Sequence, residues 1–595
     1  ALVPTAAPSA SAQVAPLSQF SGYSTGTAVH ADALQNGTSR LEDTEVAFSA
    51  ANVNSGGLGA ALVNEMDQAY QQATTVADKA AGRGSGVEVG LATVTPNVNG
   101  ANQINPGSTV QAFAPESTGL LTANFTTLNL DPVINSEYLR GQAQAVYSDS
   151  VCVLGQPISS GLGYAGSAAL VGTPSAELLA SNTGDNAVSQ SKSFTYLIPN
   201  IVNGVADGTY GLVTETHQIL APITIFPGTT ALPVAIPALP VVGVITVEFG
   251  GEWVLRSTAT GKAGGAKVEY APVGAATPTT KVITVKVDGT ELAAITLQDI
   301  LDNDGLIVPL PLDLGVISIG APPRAIGGNP TSTPELLANG TKAAAAVDVV
   351  QITGQLADLG LADLRVGHME SMAMVPIGGI QCGIPVKKVG TPASVVAGQD
   401  QVVNYTITIP ADVEAFKAIA CDIVNIKVVD VTTAEPGVKF DIVSASSGGV
   451  ISGGDTVTWA NLGKYTPGDA PIVLTVGLKV PKDSAAGKIT DTATATAVLG
   501  NCKGNASANA TSLTGLAKAE AAALTGSDAF SGTTTTVATA AVVAPAAGGA
   551  TPVGGVQTGA GGTSPISSPM LPIGTALGSV ALVASLTAWR RRRES

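Results

Sequence analysis

The chain has 595 residues, more than one compact core accommodates, so at least two domains are expected. It carries 28 Lys+Arg against 44 Asp+Glu, a net charge of -16, which disfavours nucleic acid and anionic lipid as partners. Charged residues are 12% and aromatics 4%, while 69 glycines accompany abundant Ala, Val and Thr: a composition for short β-strands with tight turns, with little for a base- or sugar-stacking platform.

Residues 1–12, ALVPTAAPSASA, close on the small-x-small triplet Ala10-Ser11-Ala12 and read as a signal-peptide remnant or a disordered N-terminus. Residues 13–380 read as a β-rich extracellular head. One amphipathic helix is expected in it, because Leu58, Leu62, Met66, Ala69, Tyr70, Ala73 and Val76 recur at helical spacing. Beyond Gly86 the period is two: Val87, Val89 and Leu91 alternate, as do Ile245, Val247 and Phe249, then Ile283, Val285 and Val287. Asp288-Gly289 between two such runs predicts a hairpin, and Asp207-Gly208 is a second candidate. Pro222 to Pro240 holds five prolines and reads as an edge or a covering loop. No repeat of fixed period is present.

Residues 381–513 alternate more regularly. Val403, Tyr405, Ile407 and Ile409 share a face, as do Val438, Phe440 and Ile442, then Val457 and Trp459, then Ile472, Leu474, Val476, Leu478 and Val480. Short strands separated by Gly, Pro and Asp turns predict a two-sheet antiparallel sandwich, with Trp459 in its core. Residues 514–570 read as a disordered stalk, uncharged from Ser531 to Pro569 and open to O-glycosylation. Leu571 to Trp589 has no charge and would span ~28 Å as a helix, close to a hydrocarbon core of ~30 Å. Arg590, Arg591, Arg592 and Arg593 follow as a stop-transfer block. The expectation is a transmembrane anchor at 571–589 and a basic cytoplasmic tail at 590–595, with everything before Leu571 outside the cell.

Two stretches, FSGYSTGTAVHADAL (Phe20 to Leu34) and LADLRVGHMESMAMVPIGGIQC (Leu361 to Cys382), resemble the choice-of-anchor G family of actinobacterial surface proteins, a likeness covering most of residues 19–385. That family shares an extracellular region joined to varied C-terminal anchors, with no established biochemical role. Residues 385–498 are similar to the conserved-repeat Ig-like domains of bacterial surface proteins, through VKKVGTPASVVAGQDQVVNYTITI, PGVKF, VTWANLGKYTPGD and ITDTATA. The resemblance implies an Ig-like β-sandwich and display at the cell surface. Wall-sorted proteins carry LPxTG before the apolar run. Here Leu571-Pro572-Ile573-Gly574-Thr575 reverses the last two residues, which favours membrane retention over wall attachment.

The three histidines, His30, His217 and His368, fall in separate segments without HExxH or an i, i+4 pair, and read as structural or exposed. No nucleophile elbow, P-loop or dinucleotide fingerprint occurs. Asp299, Asp302 and Asp304, with Asn303 and Gly305, crowd one loop and form the single calcium candidate; the EF-hand register fails at Ile300 and Pro311, and no other cofactor is expected. Lys387 or Lys388 with Asp491 supplies the residue types of an isopeptide cross-link, although paired lysines at a strand start are ordinarily solvated. Four cysteines allow three pairings. Cys152–Cys382 and Cys421–Cys502 are expected, because each closes within one folding unit.

With few histidines and little charge to build a cleft, the chain reads as a non-catalytic cell-surface structural or adhesive protein, membrane-anchored, contacting a surface ligand or itself through the head. An S-layer-like or filament-forming lattice subunit and an extracellular hydrolase are the alternatives.

Overall fold

The computed structural model describes residues 19–33, 42–58, 78–91, 103–104, 107–114, 119–130, 134–148, 152–153, 156–170, 180–182, 189–202, 205–225, 244–273, 277–302, 305–309, 315–355, 361–382, 386–411, 413, 422–500 and 531–544. The chain is mainly β, in several largely antiparallel sheets, the one parallel pair among the described strands joining Ser394–Val396 to Ser531–Val543. The principal strands run in chain order as β1 (Ser21–Ala33), β2 (Glu42–Asn54), β3 (Ala80–Leu91), β4 (Leu121–Leu130), β5 (Ile134–Ala145) and β6 (Ser159–Ala165). They continue as β7 (Ser189–Val202), β8 (Val205–Ile219), β9 (Glu252–Ala259), β10 (Lys342–Gln355) and β11 (Leu361–Met374). The last group is β12 (Lys387–Thr391), β13 (Gln401–Ile409), β14 (Asp422–Ala434), β15 (Ile472–Val480), β16 (Gly487–Gly500) and β17 (Ser531–Val543).

Two sheets build the head. The first has β10, β11, β1, β2 and β3 side by side at its centre, so the first described strand pairs with one from far along the chain, Ser21 opposite Met374. The second runs through β9, β8, β7, β6 and β5, with the edge strand β4 on β5. Five central strands of the first sheet each leave one residue out of the ladder, at Ala28, Ala47, Gly86, Val349 and Gly367, and these positions line up across the sheet. Ala47 (φ 54°) and Gly367 (φ 69°) turn the backbone into the left-handed region there.

One extra residue in a strand reverses which side chains face inward. On one side of the kink the inner face is Gly22, Ser24, Gly26, Ser49, Gly82 and Gly84; on the other it is Val29, Ala31, Val46, Val87 and Val89, packed in an aliphatic core with Leu139, Leu220 and Ile223. In the small-residue half the two sheets approach until backbones nearly touch. A Cβ at Gly84 would collide with the carbonyl oxygens of Leu162 and Gln142, and one at Gly163 with those of Phe48 and Ser85. Hydroxyls bridge this narrow layer: Ser24 donates to the Phe194 carbonyl (3.0 Å), Thr216 to the Thr25 carbonyl (3.1 Å), and Ser257 meets Ser371 at 2.6 Å.

After Ile380–Gln381, which pairs with Thr209 and Tyr210 on β8, the chain enters a sandwich of two further sheets. One has the order β12, β13, β15, Asp441–Ala445; the other Ser394–Val396, β17, β16, β14, Thr456–Trp459, Val450–Ser452. Tyr405, Ile407, Val428, Val457, Trp459, Leu474 and Val476 fill the space between them, and the Trp459 indole donates to the Ser446 carbonyl at 2.7 Å.

Several expectations change. Ser531–Val543, read from composition as stalk, is strand β17: it lies antiparallel on β16 and buries Ala538, Ala540 and Val542, its Thr/Ala/Val run serving an alternating strand as well as a linker. Asp207-Gly208 lies inside β8, because β7 and β8 already close at Val202↔Val205. Asp288-Gly289 does form the hairpin between Lys281–Val287 and Thr290–Thr296, with φ 47° and 77° at its two turn residues. Residues 59–77, which hold most of the expected amphipathic helix, lie outside the described residues, as do 1–12, 514–530, 545–570 and the anchor at 571–595. No helix among the described residues is long and apolar enough to cross a membrane.

Candidate functional site

The most concentrated chemistry lies between the two sheets of the sandwich. Along β12 the inward positions are Val386, Lys388 and Gly390, so Lys387 is exposed while Lys388 is fully buried; the reading of both lysines as solvated holds for Lys387 alone. On β14 the inward register Ile426, Val428, Asp430, Thr432 places Asp430 inside, and on β16 the register Ile489, Asp491, Ala493 does the same for Asp491. Lys388 donates to Asp430 Oδ1, and its Nζ lies 2.7 Å from Asp491 Oδ2. The second approach is at hydrogen-bond distance without hydrogen-bond alignment, since Asp491 Oδ2 has no hydrogen-bond partner among the described residues.

Two neighbours complete this centre. The Tyr405 ring, on β13, stands 5.2 Å from the ammonium, and Gly390 leaves the space it fills, since a Cβ there would come 2.8 Å from the ring. The Thr432 hydroxyl donates to Asp491 Oδ1 at 2.9 Å. One ammonium thus faces two carboxyl groups in a buried core. Burial raises the Asp430 carboxyl to about 6; Lys388 opposes the rise and Asp491 adds to it.

The histidines are each built into charged rows. His217 on β8 contacts Glu215 and sits 3.0 Å from Glu252, while Arg256 (2.8 Å) and the Tyr196 hydroxyl (2.7 Å) donate to Glu215. His368 on β11 lies 2.7 Å from Asp348 and 3.1 Å from Glu370, with Arg324 donating to Asp348 at 3.0 Å. His30 stands opposite Glu45, 3.6 Å away. These side chains occupy the faces of the two head sheets turned away from each other, yet they are buried. Burial lowers the proton affinity of both His217 and His368, but their carboxylate neighbours prevail and hold each at about 9. Burial likewise raises Glu215, and His217 with Arg256 overcomes it to hold the carboxyl down at about 2. All three histidines are buried beside carboxylates, and none is exposed.

Cys152 and Cys382 form a disulfide with Cα atoms 5.6 Å apart, closing the head where the sandwich begins. Cys421 and Cys502 lie outside the described residues, but Asp422, next to Cys421, and Gly500, two residues before Cys502, are opposed across β14 and β16. Asp299 does not lie in a loop. It belongs to a short helix, α1 (Leu297–Leu301), and its carboxylate accepts from the Thr296 backbone and hydroxyl, both at 2.7 Å, in a capping box. Asp302 caps the other end and accepts from Gln298 at 2.8 Å, and Asp304 lies outside the described residues. Among the described residues no group of three or more His, Cys, Asp or Glu could hold a metal ion. Arg590, Arg591, Arg592 and Arg593 also lie outside them.

One surface stands apart. β4 and β5 form a ribbon on which Leu121, Phe125 and Tyr138 are exposed, Tyr138 at 67%, with Leu120 just ahead of it. β4 has no charge and no proline, and among the described residues it pairs only with β5. Tyr138 holds φ 54°, a conformation that costs a bulky residue about 1 kcal/mol or more.

No family model matches the chain, and no curated protein matches it. Among solved structures, a similar chain is the N-terminal domain of a Streptococcus gordonii adhesin, 12% identical over 72% of this chain and 92% of that one, with a TM-score of 0.16, a likeness too slight to inform fold or function.

Proposed function

We propose that the chain is a non-catalytic structural or adhesive protein of the cell surface, whose head associates with further copies of itself edge to edge through β4. The observation that carries this reading is the uncharged strand β4, which pairs only with β5 among the described residues and exposes Leu121 and Phe125. An unpaired edge offers a row of backbone donors and acceptors to another strand. In a protein of net charge -16, an uncharged strand is where a second copy meets the least repulsion, and an antiparallel pair of β4 strands satisfies both edges at once. The Cys152–Cys382 disulfide fits an oxidising, extracytoplasmic setting. Kinship with the choice-of-anchor G family, an Ig-like spacer at 381–513 and retention through Leu571–Trp589 and the arginine block belong to the same proposal, supported by their sequence patterns.

Sedimentation of the purified chain over a hundredfold concentration range tests it. Concentration-dependent dimers or larger assemblies are expected, lost in a Leu121→Lys/Phe125→Lys variant with an unchanged melting temperature. A chain that stays monomeric throughout, or a variant that assembles as well as the parent, contradicts the β4 reading.

A further inference from the structure

We propose that Lys388 and Asp491 join in an intramolecular isopeptide bond, an amide between Lys388 Nζ and Asp491 Cγ, formed with Asp430 as the proton carrier. The bond would tie β12 in one sheet of the sandwich to β16 in the other.

Four observations lead there. Lys388, Asp430 and Asp491 are all buried, at 0 to 1% side-chain exposure, in a core otherwise made of aliphatic and aromatic side chains. A buried ion pair offsets its desolvation only when its remaining polar atoms are satisfied, yet Asp430 Oδ2 and Asp491 Oδ2 lack hydrogen-bond partners among the described residues. Nζ stands against Asp491 Oδ2 at 2.7 Å but off the hydrogen-bonding line, whereas its aligned bond goes to Asp430. The Thr432 hydroxyl points at the other oxygen of Asp491, where charge develops once nitrogen adds to Cγ.

The chemistry balances without an added reagent. Asp430 takes a proton from the ammonium, freeing the Nζ lone pair. Nitrogen adds to Cγ of Asp491, Thr432 steadies the tetrahedral oxyanion on Oδ1, and Asp430 returns its proton to Oδ2. A second proton leaves nitrogen for the same oxygen, again by way of Asp430, and the C–O bond breaks. An ammonium and a carboxylate become an amide and one water, while Asp430 ends as it began. Burial drives the condensation, because two charges that a buried apolar core solvates poorly are replaced by a neutral group. The raised Asp430 carboxyl suits a group that must both accept and give up a proton near neutral pH.

A tryptic map of the full chain tests this directly. The expected product is a branched peptide joining the Lys388 segment to the Asp491 segment, lighter than the two separate peptides by one water, with no cleavage after Lys388. Lys388→Arg and Asp491→Ala should each abolish it, and Asp430→Asn, which keeps both bonding partners, should reduce it at least tenfold. Linear Lys388 and Asp491 peptides from folded parent protein would overturn the proposal, whatever the variants do. A branch from Lys388 to Asp430 would overturn the roles assigned to the two acids, and undiminished linkage in Asp430→Asn would remove the proton carrier.

Discussion

Ser49 on β2 and Ser191 on β7, 142 residues apart in sequence, face each other across the two head sheets with their hydroxyl oxygens 2.8 Å apart. Ser49 is equally close to Ser193, so one small side chain bridges two on the facing strand. Such contacts are possible only because glycines on β3, β5 and β6 let the layers close beyond ordinary side-chain spacing. Gly84→Ala places a methyl group against two facing carbonyls and is expected to destabilise the head by about 3 kcal/mol. Gly264→Ala, where no atom lies within 4 Å of the added Cβ, is the control, carrying only its own backbone cost at φ 74°. Denaturant unfolding of the two variants should separate them clearly.

The charged rows set a pH window. His217 and His368 hold protons at about 9 when folded against an ordinary 6.5, so their stabilisation is complete below pH 6.5 and is lost as pH rises towards 9. Glu215, held at about 2 against 4.5, contributes fully above pH 4.5 and loses its share as pH falls towards 2. The head should therefore melt highest between about pH 4.5 and 6.5 and lose several degrees by pH 9. His217→Gln should flatten the alkaline limb in a calorimetric pH series.

The Cys152–Cys382 bridge spans a sequence separation of 230, and a loop of that size corresponds to about 5 kcal/mol in the chain-entropy account. Reduction, or Cys152→Ser/Cys382→Ser, should lower head stability by an amount of that order without changing far-UV circular dichroism. Non-reducing peptide maps should also recover Cys421 joined to Cys502, because Asp422 and Gly500, within two residues of them, are opposed in the sheet. A peptide joining Cys152 to Cys421 would contradict both pairings.

Much of this was legible in the sequence through the period of two. The mainly β class, the Asp288-Gly289 hairpin, the buried Trp459 and the Cys152–Cys382 pairing follow from alternation, turn chemistry and chain segmentation. The buried Lys388 was within reach of the same rule, since Val386, Lys388 and Gly390 share one phase, but the residue type argued for solvent. The kink was hidden. One extra residue in each of five strands leaves no local signal, yet it decides that His30 and Glu45 lie on the face opposite Val29 and Val46. β17 is not legible from composition because Thr and Ala serve a linker and an alternating strand equally well, and only β16 beside it distinguishes them.

Protease shaving of intact cells expressing the full chain tests the proposed surface display most directly. External trypsin should release head peptides, among them those carrying Leu121, Phe125 and Tyr138, while the segment after Leu571 stays with the cells. Head peptides that appear only after the cells are lysed would contradict the account.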